Sequence, residues 1–126
     1  MNILFIHQNL PGQFKHIMYD AVLRGHKVVG IGQAENLQAS TYPAGLSLLP
    51  YPKPEGAGDK THHYLKPLES AVRRGQAVFR LCLQLHAEGF YPDLVCCHPG
   101  WGESLFIKDI FPRSRLCCYF EFFYSA

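Results

Sequence analysis

The chain has 126 residues, 48% of them hydrophobic and 17% charged, with a formal net charge of +2. That length accommodates one core and not two. Lysine and arginine are nowhere concentrated, which excludes the clustered basic face that nucleic-acid binding requires. Met1-Asn2-Ile3-Leu4 runs straight into a strand pattern without the layout of a secretory leader. No apolar run approaches the roughly 20 residues that span a bilayer, so a cytoplasmic location is expected.

Asn2 to Ile6 is a short, continuously apolar run, as in a strand covered on both faces. Asn9-Leu10-Pro11-Gly12 breaks it, and Pro11 suits a first helical turn. From Gln13 onward, Phe14, Ile17, Met18, Ala21 and Val22 recur at helical spacing, with Gly25 placed to end the helix. Lys27 to Ile31 predicts a second strand, and a strand–helix–strand unit of this kind crosses over right-handed. Leu46, Leu48 and Leu49 suggest a third strand, followed by a long loop rich in proline and glycine from Pro50 to Gly58.

His63 to about Glu88 reads as a long helix whose stripe of Leu68, Val72, Phe79, Cys82, Leu83 and His86 is predicted to be buried. Pro67 fits only in its first turn, Gly75 weakens its middle, and Arg73-Arg74 is expected on a solvated face. Leu94 to Cys97 is a fourth strand, Glu103 to Ile110 a short helix, and Leu116 to Phe120 a fifth strand. Alternating strands and helices imply a three-layer α/β fold, an open parallel Rossmann-like sheet in the order 3-2-1-4-5. Residues 1–126 then form one domain.

Of the five cysteines, Cys96, Cys97, Cys117 and Cys118 fall in predicted core strands, and Cys82 falls on the long helix. An odd count in such positions implies buried, reduced thiols. Adjacent cysteines on a strand face opposite ways, and no CxxC-like spacing occurs, so no metal site is expected. His62-His63 lacks a further ligand at metal spacing and reads as loop or helix-start structure. The aromatic ending Tyr119-Phe120-Glu121-Phe122-Phe123-Tyr124-Ser125-Ala126 lacks a turn, cap or polar tail. It carries the expectation that the native protein continues.

In open parallel sheets, ligands bind beyond the carboxyl ends of the strands, where the strand order reverses. In the order 3-2-1-4-5 that point lies between strands 1 and 4. His7 to Gly12 therefore meets His98-Pro99-Gly100-Trp101-Gly102-Glu103 on one edge. Gly12 at a helix start suits a phosphate or carboxylate, or is simply a turn glycine. The absence of GxGxxG, with Gly32-Gln33 where an acidic residue would end strand 2, argues against a dinucleotide domain. His98 either offers its imidazole or carbonyl to a ligand hydroxyl or makes a structural hydrogen bond. Trp101 and Glu103 either form a sugar-binding face with a carboxylate or pack and complement a helix dipole. Glu121, among aromatics after strand 5, has a functional reading and a domain-pairing one.

These residues also carry a resemblance. Ile3-Leu4-Phe5-Ile6-His7-Gln8-Asn9, Pro11-Gly12-Gln13-Phe14 and Arg24-Gly25-His26-Lys27-Val28 resemble the start of family 4 glycosyltransferases. His98-Pro99-Gly100-Trp101-Gly102-Glu103 and Tyr119-Phe120-Glu121-Phe122-Phe123-Tyr124 resemble the amino-terminal domain of one bacterial subgroup. The resemblance implies the GT-B architecture, with two Rossmann-like domains facing across a cleft. It implies that this domain receives the acceptor while a carboxy-terminal domain holds the nucleotide-diphosphate-sugar donor. Pro11, Gly12 and Gln13 would approach the donor phosphates, and His98, the expected catalytic residue, would lie near the donor sugar. His7, Gly100, Trp101, Gly102, Glu103 and Glu121 would border substrate.

The implied reaction is hexosyltransferase-like. It retains anomeric configuration, needs no metal or other cofactor, and lets the leaving diphosphate help deprotonate the acceptor. The family's carboxy-terminal Glu-x7-Glu region is not in this sequence, so the chain is expected to be inactive without that partner domain. Peripheral membrane association is an expectation for the longer protein. The rival readings are a stand-alone, flavodoxin-like small-ligand or phosphate-binding module, and a protein-interaction domain docking through Phe120 to Tyr124.

Overall fold

The computed structural model describes residues 1–37 and 41–121. Five parallel strands, β1 (Asn2–Ile6), β2 (Lys27–Gln33), β3 (Leu46–Tyr51), β4 (Leu94–Cys97) and β5 (Arg115–Cys118), form one sheet in the order β3-β2-β1-β4-β5. The connecting helices are α1 (Lys15–Leu23), α2 (Ala34–Leu37), α3 (Lys66–Ala87) and α4 (Ile107–Ile110). Single 3-10 turns at Gly12–Phe14 and His63–Leu65 precede α1 and α3.

The strand period of two divides the core between the two faces. Ile3 and Phe5 of β1 and Cys96 of β4 pack with Phe14, Met18 and Ala21 from the α1 side. Leu4, Ile6, Val95 and Cys97 alternate with them and pack with Ala77, Val78, Cys82 and Leu85 of α3. Leu4, Phe5 and Ile6 are completely buried. Each contributes about 1.5–3 kcal/mol of transfer free energy, which is why β1 is apolar throughout. The edge strands are less covered, and Pro50 is tolerated in β3 because an edge strand has an unpaired side.

Several expectations are corrected. The buried face of α3 is Gly75, Ala77, Val78, Cys82 and Leu85. Leu68 and Leu83 are 58% and 44% exposed, and His86 is exposed too. The helix lies so close to its neighbours that mainly small residues mark the contact, with Leu85 near its end the one leucine among them. Ile17 is likewise exposed, since Phe14, Met18 and Ala21 complete the α1 contact.

Cys117 is exposed and Cys118 half-buried because β5 is an edge strand. All five cysteines are free thiols. The helix expected from Glu103 shrinks to Ile107–Ile110, preceded by turns. The fifth strand ends at Cys118 rather than Phe120, although Tyr119 N–H still donates to Cys97 O at 2.9 Å. Phe122 to Ala126 lie outside the described residues. No described helix is long and apolar enough to cross a membrane.

Candidate functional site

Because β1 and β4 pair with Ile6 opposite Cys97, the next residue of each, His7 and His98, emerges side by side. Both extend the sheet by one hydrogen bond: His7 N–H donates to Ile31 O and His98 N–H to Ile6 O. The imidazoles are buried, with ring centroids 4.7 Å apart.

Backbone geometry orients each ring. Asn9 N–H donates to His7 Nδ1 at 2.9 Å, and Gly100 N–H donates to His98 Nδ1 at 3.3 Å. A nitrogen that accepts carries no proton, so in each ring the proton sits on Nε2. His7 Nε2–H then donates to Gln13 Oε1 at 2.6 Å, and His98 Nε2–H donates to Glu121 Oε2 at 3.0 Å. Gln13 Nε2–H donates to the other oxygen of the same carboxylate. The two histidines are thus joined through an amide and a carboxylate. Burial, opposed by the Gln13 hydrogen bond, lowers the His7 pKa below 6.5 and keeps the ring neutral at pH 7.

Glycine makes the packing possible at two positions. A Cβ on Gly12, whose φ is +48°, would stand 2.4 Å from His7 Nε2. One on Gly102, at φ +104°, would stand 2.2 Å from Ala71 O of α3. Across that contact, Gly75 brings α3 against Gly102 O and the Phe106 ring. The glycine that weakens the helix interior is therefore the one that lets the loop after β4 lie on it.

Trp101 stacks on His98 with centroids 5.2 Å apart and planes inclined by 25°, and the residue stays 43% exposed. Glu103 lies beneath this loop with no exposed surface, and its Oε2 accepts from Trp101 N–H at 3.1 Å. Its Oε1 has no hydrogen-bond partner among the described residues. Burial raises the Glu103 pKa above 4.5 despite the two backbone donors and nearby Arg74. Glu103 therefore supports the loop from below, and His7, Gln13, His98, Gly100, Trp101 and Glu121 cluster above it. Pro11 heads the 3-10 turn, accepting Phe14 N–H at 2.9 Å.

Sequence reasoning missed a second tier. Arg74 does not lie on a solvated face: it donates to Gln33 Oε1 at 2.7 Å and to Tyr51 Oη at 3.2 Å. Burial pushes the Tyr51 hydroxyl up to about 12. Asn36 Nδ2 donates to Asn9 Oδ1 at 2.6 Å, tying the loop after β1 to α2. The usable signal was topological, since Gln33 and Tyr51 end strands on the same rim. His62 caps its turn by accepting Tyr64 N–H on Nδ1. Among the described residues no group of three or more His, Cys, Asp or Glu is placed to hold a metal ion.

Residues 24–126 match the Glycosyl transferase family 4 group. The chain belongs to that family. The matched span of this family 4 chain includes His98, Trp101, Glu103 and Glu121, while His7, Pro11, Gly12 and Gln13 precede it. No curated protein matches the chain.

Among solved structures it is similar to a T291V form of Os79 from O. sativa in complex with UDP, at 10% identity and a TM-score of 0.57. The alignment covers 94% of this chain and 28% of that one. A UDP-glucose: anthocyanidin 3-O-glucosyltransferase in complex with UDP gives the same identity and TM-score, with 94% and 29% covered. At that identity the likeness concerns the fold alone, an open parallel sheet in the order β3-β2-β1-β4-β5. The chain spans less than a third of the length of either structure.

Proposed function

We propose that the chain is the amino-terminal, acceptor-side domain of a retaining, nucleotide-sugar-dependent glycosyltransferase, completed by a donor-binding carboxy-terminal domain. The observation that carries this reading is the bonded set of His7, Gln13, Glu121 and His98 at the strand-order reversal of a family 4 chain. The strand order also differs from the 2-1-3-4-5 of flavodoxin-like modules.

In this reading half-exposed Trp101 covers C–H surface of a sugar with its ring, and the outer lone pairs of Glu121 accept its hydroxyls. The leading N–H groups of the turn at Gly12–Phe14 face the donor diphosphate, since a helix start leaves such donors unpaired. His98, whose ring nitrogens are engaged by Gly100 N–H and Glu121, holds the Glu121 carboxylate towards the reacting sugar. The acceptor oxygen attacks the anomeric carbon on the face the diphosphate leaves. The departing phosphate oxygen keeps the bonding electron pair and takes the acceptor's proton.

The test is transfer from a nucleotide-sugar by the two-domain protein and by its His98→Ala variant. A loss of about 100-fold or more in turnover is expected, and full activity in the variant would remove His98 from the site. The 126-residue chain alone is expected to turn over no donor.

A further inference from the structure

The opposite rim of the sheet, at the amino ends of β4 and β5, carries a second constellation that the sugar-transfer reading does not use. A hollow of about 420 Å³ is lined by His86, Tyr91, Ile110 and Phe111, with Arg113 at its edge. That volume is within the roughly 300–1,000 Å³ of small-molecule sites. The His86 and Tyr91 rings meet edge to face at 4.9 Å, and Tyr91 is 55% exposed. A neighbouring hollow of about 560 Å³ shares Tyr91, Pro92 and Arg113 and adds Arg115.

The turn presenting Arg113 is pinned. Lys108 Nζ donates to Pro112 O at 2.9 Å and to Ser114 O at 2.7 Å, and the Ser114 hydroxyl donates to Pro92 O. Arg115 N–H donates to Asp93 O at 3.0 Å. The acidic side chain that lines the second hollow, Asp93, is engaged by Asn2 N–H at 2.7 Å. Among the described residues, neither the Arg113 nor the Arg115 guanidinium has a side-chain partner. Two guanidiniums without a side-chain partner, set on a braced turn against the single carboxylate of Asp93 and beside an aromatic-lined hollow, match an anion attached to a flat apolar body.

We propose that this rim binds a small aromatic anion, its ring against His86, Tyr91 and Phe111 and its phosphate or carboxylate on Arg113 and Arg115. The site is independent of the histidine rim and of sugar transfer.

The probe is 1-naphthyl phosphate, titrated into the 15N-labelled 126-residue chain and followed by amide NMR. Saturable shifts are expected at Tyr91, Asp93, Arg113 and Ser114. Arg113→Gln with Arg115→Gln should weaken binding by about tenfold or more, as should Tyr91→Ala. All three side chains are exposed, so the variants should keep the parent spectrum elsewhere. Neutral 1-naphthol and inorganic phosphate should each bind at least about tenfold more weakly than the probe. Equal affinity for either, unchanged affinity in the double variant, no saturable binding, or shifts confined to His7 and His98 would each overturn the proposal.

Discussion

The loops after β1 and β4 are built on one plan and anchored in two different ways. In each, a buried histidine accepts a backbone N–H from two residues ahead, and a glycine lies against its ring. The first loop rests on the sheet: Leu10 is completely buried, and a Cβ on Gly30 of β2 would stand 2.6 Å from its side chain. The second loop rests on a helix, where the Gly102 backbone presses on Ala71 O. Side-chain contacts have room to adjust, but packed backbone does not. The second loop should therefore be the more brittle, although it carries the more exposed Trp101.

That difference breaks most visibly at the glycines. Gly102→Ala combines a positive φ with overlap against a helix carbonyl and should cost about 3 kcal/mol or more, read from chemical denaturation. Gly12→Ala meets the His7 ring rather than backbone, at a φ close to the left-handed helical region. It should cost about 1–2 kcal/mol while displacing His7 from Gln13. If Gly12→Ala proved the costlier change, the contrast between side-chain and backbone support would be wrong.

The loops also bury opposite kinds of ionisable group, which sharpens the comparison through pH. Glu103 has a folded pKa raised above 4.5, so the folded chain holds its proton longer than the unfolded chain. The contribution of Glu103 must then fall as pH rises from 4.5 through its folded value. His7 has a folded pKa lowered from 6.5, so its contribution falls as pH drops through 6.5 towards the folded value. Glu103→Gln should flatten the first slope in denaturation curves taken across pH and leave the second in place. A slope identical to the parent's would place the raised pKa elsewhere. The smallest effect is expected well away from both loops. The exposed Arg24–Asp20 pair at 2.7 Å lies on the surface of α1, and Arg24→Ala should change stability by about 0.5 kcal/mol or less.

Much of this architecture was legible because it follows from periodicity. β1 and β4 occupy the predicted residues, and the order 3-2-1-4-5 alone brought His7 and His98 together. What escaped depends on contacts that no local pattern encodes. The face of α3 is defined by how closely a loop approaches Gly75, so a stripe drawn through its largest apolar residues is rotated from the true one. Arg74 looked like surface charge because its partners, Gln33 and Tyr51, are 41 and 23 residues away. Glu103 looked like a helix-start carboxylate. The turns from Trp101 to Phe106 instead fold it under the loop, leaving Glu121 as the carboxylate that reaches the histidines.

The claim beneath all of this is that the two histidines belong to a single hydrogen-bonded unit closed by Glu121. Nitrogen-15 spectra of the histidine side chains, recorded on the parent chain and on Glu121→Ala, test it directly. The account predicts protonated Nε2 and bare Nδ1 on both His7 and His98 in the parent, with both Nε2 signals moving in the variant. A protonated Nδ1 on either ring, or a variant in which neither signal moves, would contradict it.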